Sequence, residues 1–285
     1  MGPDMLGWLF LGLLLGLFFG ILTYRIVTGR RRPDRLTLAE YWVYVEEPRV
    51  PKIEAVMTRM VSENPHTKPG TPCISNREGM LFTDLRLHYA AVLKSKNPHA
   101  FRPDLFSVST EPTAEVLTRL SDCPGFLKCR YQCDTLLKDQ RHLTFLPHMA
   151  DAFSDLAKGH VVYDPISEEI MTREEFKERI SDAKNLESPL FHLRIVWERA
   201  EEGWRAVTKG LMKVGRTEWA SSLQEQDQEV LVVGLFTKAA HQVFRKPEAE
   251  WPLEFEEYGD SFSLAPSGKW VDGRQEISIV RKRKT

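Results

Sequence analysis

Apolar and polar positions alternate with different periods along this chain, and the period marks the elements. The longest apolar run is Leu6 to Tyr24, LGWLFLGLLLGLFFGILTY, 19 residues without a charge. At about 1.5 Å per residue a helix of that length comes close to the ~30 Å hydrocarbon core of a bilayer. Beyond it the pattern becomes mixed. Tyr41 to Val45 is aromatic and β-branched and predicts a strand, ended by Pro48 and Pro51. Lys52 to Ser62 predicts a helix, with Ile53, Val56, Met57 and Met60 on one face. Residues 63–80 carry three prolines and two glycines and predict a long loop, of the length that is functional or disordered. Leu85 to Lys94 resumes a helical pattern.

A short helix is expected to start near Pro112, with Val116, Leu117 and Leu120 inward. Phe126 to Cys133 alternates: Leu127, Cys129, Tyr131 and Cys133 share one face, as in a half-buried strand. Leu136 to Lys158 is helical in period, with Pro147 expected to kink or divide it. His160 to Asp164 predicts a short strand, and Thr172 with Glu175 a capping box that opens a helix. A strand over Phe191 to Trp197 turns at Glu201-Glu202-Gly203 into a partner over Trp204 to Lys209. Asp227 is positioned to cap a helix reaching Lys246, and two short strands near Phe262 and Ile277 to Val280 close the chain. Interspersed strands and helices with a clear hairpin give an α+β class. The expected organisation is a stub at 1–5, a transmembrane helix at 6–24, a basic linker at 25–38, and α+β subdomains at 39–185 and 186–285, the last two parted near residue 185.

Charge refines this picture. The chain carries 39 Lys+Arg and 40 Asp+Glu, a net charge of −1. Arg25, Arg30, Arg31, Arg32 and Arg35 follow the apolar run, and none precedes it. Positive charge stays on the cytoplasmic side, so the N-terminus is expected outside and the remainder in the cytoplasm of a single-pass inner-membrane protein. A cleaved signal peptide fits less well, since only Asp4 precedes the run and no small-residue cleavage pattern follows it. Gly12, Gly16 and Gly20 lie four apart on one face, the pattern of a homodimer packed through its transmembrane helix. The five arginines, with Arg281, Lys282, Arg283 and Lys284 at the other end of the chain, form a candidate membrane surface whose partner is the lipid bilayer. The part beyond residue 38 is acidic, at about −4, with dispersed basic residues, which argues against nucleic acid.

Candidate chemistry is sparse. Cys123, Cys129 and Cys133 are spaced too widely for a structural zinc site and read as core residues; in a reducing compartment they are free thiols. Cys73, in the proline-rich loop, is the better exposed thiol. The eight histidines form no helical i, i+4 pair, and no nucleophile elbow, Walker loop or dinucleotide fingerprint occurs. No cofactor or metal is expected, and the catalytic residues of any enzyme here stay unknown. Lys209 to Arg216 is the most distinctive stretch. It reads either as a loop whose backbone approaches an anion, or as a strand that bends at Gly210 and turns at Gly215.

The segment Thr208-Lys-Gly-Leu-Met-Lys-Val-Gly-Arg-Thr-Glu218, downstream of Val161-Val-Tyr-Asp-Pro165, resembles a bacterial family of uncharacterised α+β domains. The resemblance spans roughly residues 140–245. It implies an α+β fold and a bacterial source, and it brings no catalytic residue. The function expected from the sequence is binding or scaffolding of a protein partner at the membrane by the cytoplasmic α+β part. The alternative is a membrane-tethered hydrolase with a spatially assembled site.

Overall fold

In the computed structural model, the described residues are 36–61, 76–106, 112–135, 137, 139–181, 186 and 188–282. They build two sheets, each with a long helix against one face. The first sheet has five strands: β1 (Thr37–Val45), β2 (Leu87–Leu93), β3 (Gly125–Cys133), β4 (Gly159–Asp164) and β5 (Glu169–Thr172), ordered β2-β3-β1-β4-β5 and antiparallel throughout. Its helices are α1 (Ile53–Val61), α2 (Ala114–Asp122), α3 (Arg141–Leu156) and α4 (Arg173–Ser181). The second sheet holds β6 (Arg194–Ala200), β7 (Gly203–Lys209), β8 (Trp219–Ser221), β9 (Leu253–Glu257), β10 (Asp260–Val271) and β11 (Arg274–Lys282), ordered β6-β7-β8-β11-β10-β9. Its helix is α5 (Glu229–Arg245).

The period-2 reading of β3 is realised. Leu127, Cys129 and Tyr131 face α3 and pack with Tyr41, Val43, Phe145, Met149 and Phe153 in one apolar cluster. The opposite face is divided. Its upper half, Tyr44, Phe126 and Val161, is roofed by Phe101, Phe106, Val116 and Leu120, and Tyr44 donates its hydroxyl hydrogen to the Ala100 carbonyl at 2.7 Å. Its lower half, with Glu40, Lys128 and Arg130, carries charge. In the second sheet Ala206, Trp219, Leu264 and Ile277 pack against Val232, Leu235, Phe236 and Ala239 of α5.

Several expectations change in detail. Leu85 to Lys94 is not helical, because β2 occupies Leu87–Leu93. Leu87, Tyr89, Ala91 and Leu93 also alternate, and pairing with β3 selects that period. Pro147 lies inside α3 without dividing it. Phe191 and His192 end a single helical turn, Pro189–His192, and β6 begins only at Arg194. Asp227 sits in a short 3-10 turn, and the N-cap position of α5 is Gln228. The late strands are longer than expected, with β10 at 12 residues and β11 at 9.

The largest correction concerns the membrane. Among the described residues no helix is long and apolar enough to cross a bilayer. The longest, α5 and α3, have 17 and 16 residues, short of the roughly 20 apolar residues a span needs. The fold class is therefore α+β without a described transmembrane helix, and the single-pass inner-membrane assignment, with its N-out orientation, is not sustained. An apolar window scores alike whether it faces lipid or protein, so hydropathy alone does not establish a span. The apolar run at 6–24, the basic linker through Arg35, most of the loop at 63–80 and the expected break near residue 185 lie outside the described residues.

Candidate functional site

The free edges of the two sheets are β2, β5, β6 and β9. An edge strand exposes unpaired N–H and C=O groups, and folded proteins protect such edges with charge, proline, bulges or shortness. Three of the four follow that rule. β5 has four residues, and its last, Thr172, leads directly into α4. β6 reads RIVWERA and β9 reads LEFEE, both charged. β2 reads LHYAAVL. It has no Lys, Arg, Asp, Glu or Pro, and its register with β3 runs unbroken from Leu87–Tyr131 to Leu93–Gly125. His88, Tyr89, Ala90 and Ala91 are all exposed.

The two faces of this edge differ in chemistry. On the α3 side, Tyr89 is 41% exposed and its ring meets Phe153 edge-on at 6.4 Å. On the other side the cross-strand partners of His88 and Ala90 are Arg130 and Lys128. Arg130 is ion-paired to buried Glu40, which also accepts from the Trp42 indole N–H. Trp42 stacks on Phe126 at 4.7 Å, which fixes the ring that holds Glu40. Lys128 has no carboxylate partner among the described residues.

At the start of β2 a second cluster forms around Cys133. The Arg86 guanidinium approaches the thiol at 3.6 Å and also forks onto Asp84. Asp84 accepts from the Tyr131 hydroxyl at 3.1 Å, and Arg86 lies 5.4 Å from the Tyr131 ring centre. The Thr135 hydroxyl is 3.3 Å from the sulfur. Burial pushes the Cys133 thiol up, but hydrogen bonds from Thr135 and Arg86 outweigh it, and the net shift is downward. Burial instead raises Cys123, to about 12, and Cys129. The inward placement of Cys129 and Cys133 on β3 agrees with a packing role, and the polar surroundings of Cys133 are what the strand pattern could not show.

The distinctive stretch at 209–216 proves to be a joint between the sheets. Gly210 has φ +118°, and a Cβ there would lie 2.1 Å from the His192 carbonyl oxygen, so only glycine fits. The backbone does approach an anion, and that anion is the chain's own Glu218. Its carboxylate accepts from Gly210 N at 2.8 Å, Met212 N at 3.1 Å and the Thr208 hydroxyl at 2.7 Å. Burial nevertheless raises the Glu218 carboxyl. The turn so formed drives Lys213, fully buried, into the first sheet. There it pairs with Asp164 and lies 5.5 Å from the Tyr41 ring centre. Asp164 also accepts from the backbone N–H groups of Ile166 and Ser167. The His142 ring meets the Lys213 carbonyl at 2.7 Å. Every charged contact here is internal, so the arrangement is structural.

A third charged group joins α1, α3 and α4. Arg59 binds Asp151 and Asp155 at 2.8 and 2.5 Å, and Arg173 and Lys177 both reach the remaining Asp155 oxygen. These pairs tie the three helices together. Among the described residues no group of three or more His, Cys, Asp or Glu is placed to hold a metal ion.

Of the sequence-predicted site residues, Gly12, Gly16, Gly20, Arg25, Arg30, Arg31, Arg32, Arg35, Arg283 and Lys284 lie outside the described residues. Arg281 and Lys282 end β11, where Arg281 pairs with Asp260 at 2.6 Å and Lys282 with Glu254. The edge at β2 escaped the sequence reading because its residues also fit a helix. The signal available was seven residues with no formal charge flanked by Arg86 and Lys94. Comparison with known proteins finds no matching family model, no matching curated protein and no matching solved structure.

Proposed function

We propose that this protein is an interaction module that receives an extended segment of a partner protein along the free edge of β2. One observation carries the reading: β2 is the edge, among the four described, that has neither charge, proline, bulge nor shortness to oppose strand addition. In this mode main-chain hydrogen bonds supply affinity and alternate side chains supply specificity. The exposed Ala90 and Ala91 leave the backbone accessible, while unbroken pairing with β3 holds the strand in register. A preorganised edge lowers the ordering cost of binding to that of the peptide alone.

The test starts with a displayed library of random heptapeptides selected on the purified protein. A selected peptide is then resynthesised with N-methyl groups on its odd or its even residues. Strand addition uses the N–H groups of one set, so one isomer should lose binding by 100-fold or more while the other keeps it. Hydrogen exchange should slow across residues 87–93 in the complex. Equal binding by both isomers, or protection confined to another element, would refute the proposal.

A further inference from the structure

We infer that the segment received by β2 alternates acidic and apolar residues, with its acidic side chains on the face of His88 and Ala90. This inference rests on the strand-addition reading and adds the chemistry of the partner. Residues 86–102 contain no Asp or Glu, but they contain Arg86, Lys94, Lys96 and Arg102, together with His88 and His99. Two of these cations are neutralised, Arg86 by Asp84 and Arg102 by Asp104, each at 2.6 Å. Lys94 donates to the Ser121 carbonyl at 2.7 Å. Lys94, Lys96 and Lys128 have no carboxylate partner among the described residues. An uncompensated basic margin thus borders the edge of a chain whose net charge is −1.

The strand register places this charge. Side chains directly opposite on neighbouring strands share a face. Lys128 therefore lies behind Ala90 on the outer face, and Arg130 behind His88. An added strand would run about 4.8 Å outside β2, and so about 10 Å from β3. Ala90 has only a methyl group, which leaves the space above it open. A lysine stem lying along that methyl carries its ammonium toward the added strand while the stem stays on apolar surface. A carboxylate beside Ala90 would meet it there. The opposite face, Leu87, Tyr89, Ala91 and Leu93, is uncharged, and Phe153 of α3 meets it at Tyr89. It suits apolar side chains at the alternate positions. Arg130 adds little of its own, because Glu40 already holds it.

Three fluorescent heptapeptides test this, with Val at positions 1, 3, 5 and 7 and Glu, Thr or Lys at positions 2, 4 and 6. Binding to the full chain is followed by polarisation at 50 mM and 500 mM NaCl. The Glu peptide should bind at least 10-fold tighter than the Lys peptide at low salt, with Thr between. The gap should shrink several-fold at high salt, as expected for exposed charges. Lys128→Gln should remove most of the preference for Glu over Thr. Equal binding of all three peptides would overturn the charge inference and leave strand addition standing. Binding by none of them would overturn both.

Discussion

At the residue scale, two histidines show how burial sets behaviour. His142 is stacked on Tyr131 at 5.0 Å and touches the Lys213 carbonyl. His192 is stacked on Phe244 at 5.6 Å and touches the Leu186 carbonyl at 2.8 Å. Burial pulls the His142 imidazole down to about 4, with Lys213 and Arg86 adding repulsion and the Lys213 carbonyl and Asp139 opposing it. Burial and then Lys213 pull His192 down as well. Both rings are thus neutral in the folded state, whereas the unfolded chain takes up protons near pH 6.5. Between those values the unfolded state binds more protons, so stability is fully present above about pH 6.5 and falls as pH drops toward 4. The His142 contribution is on the order of 3 kcal/mol. Urea midpoints should fall over that interval, and His142→Gln should flatten the dependence. A midpoint that holds steady from pH 7 to 4.5 would contradict it.

At the element scale, the joint between β5 and α4 shows local chemistry deciding a boundary. Thr172 ends β5, and its hydroxyl accepts from the Glu175 N–H at 3.2 Å. Glu175 reaches back to the Thr172 N–H at 2.7 Å. This reciprocal pair was visible in the sequence as a capping box, because it depends only on residues three apart. Thr172→Ala should cost about 1 kcal/mol, measured by chemical denaturation. Thr172→Ser should restore most of it, and a neutral Thr172→Ala would mean the cap contributes nothing. β2 is the contrasting element. Its residues satisfy a helical and an alternating pattern alike, and no short-range signal separates the two. Pairing with β3 supplies the deciding hydrogen bonds, and these are contacts across more than thirty residues of chain.

At the scale of the whole molecule, the turn at 211–214 fastens one sheet to the other. Lys213 and Asp164 are both buried, 0% and 3% exposed, the first in a turn between two strands of the second sheet and the second at the end of β4 in the first. Removing one partner of a buried pair leaves the other charge unsatisfied, at a cost of about 3–5 kcal/mol. Lys213→Met should lower stability by that amount. It should also loosen the coupling between sheets. Trp197, Trp204, Trp219 and Trp251 all belong to the second sheet or its cluster, so tryptophan fluorescence reports mainly there. In the variant its unfolding curve should separate from far-UV circular dichroism. Coincident curves with an unchanged midpoint would show that the pair does not join the sheets.

The amino-acid order by itself determined the features that depend on neighbours a few residues apart. These are the alternation that makes β3, the capping box at Thr172 and the hairpin turn at 201–203. It also marked 209–216 as distinctive, with two glycines among basic residues after a strand. Only the tertiary structure decided what that stretch does. Glu218 is its anion, and Lys213 finds Asp164 49 positions away in the chain. Period says nothing about which distant carboxylate meets a buried ammonium. The same holds for the candidate site. Strand order, not sequence, leaves β2 at an edge, and register sets Lys128 behind Ala90. The membrane assignment was likewise local, drawn from hydropathy and the charge beside it, and no described helix is long and apolar enough to sustain it.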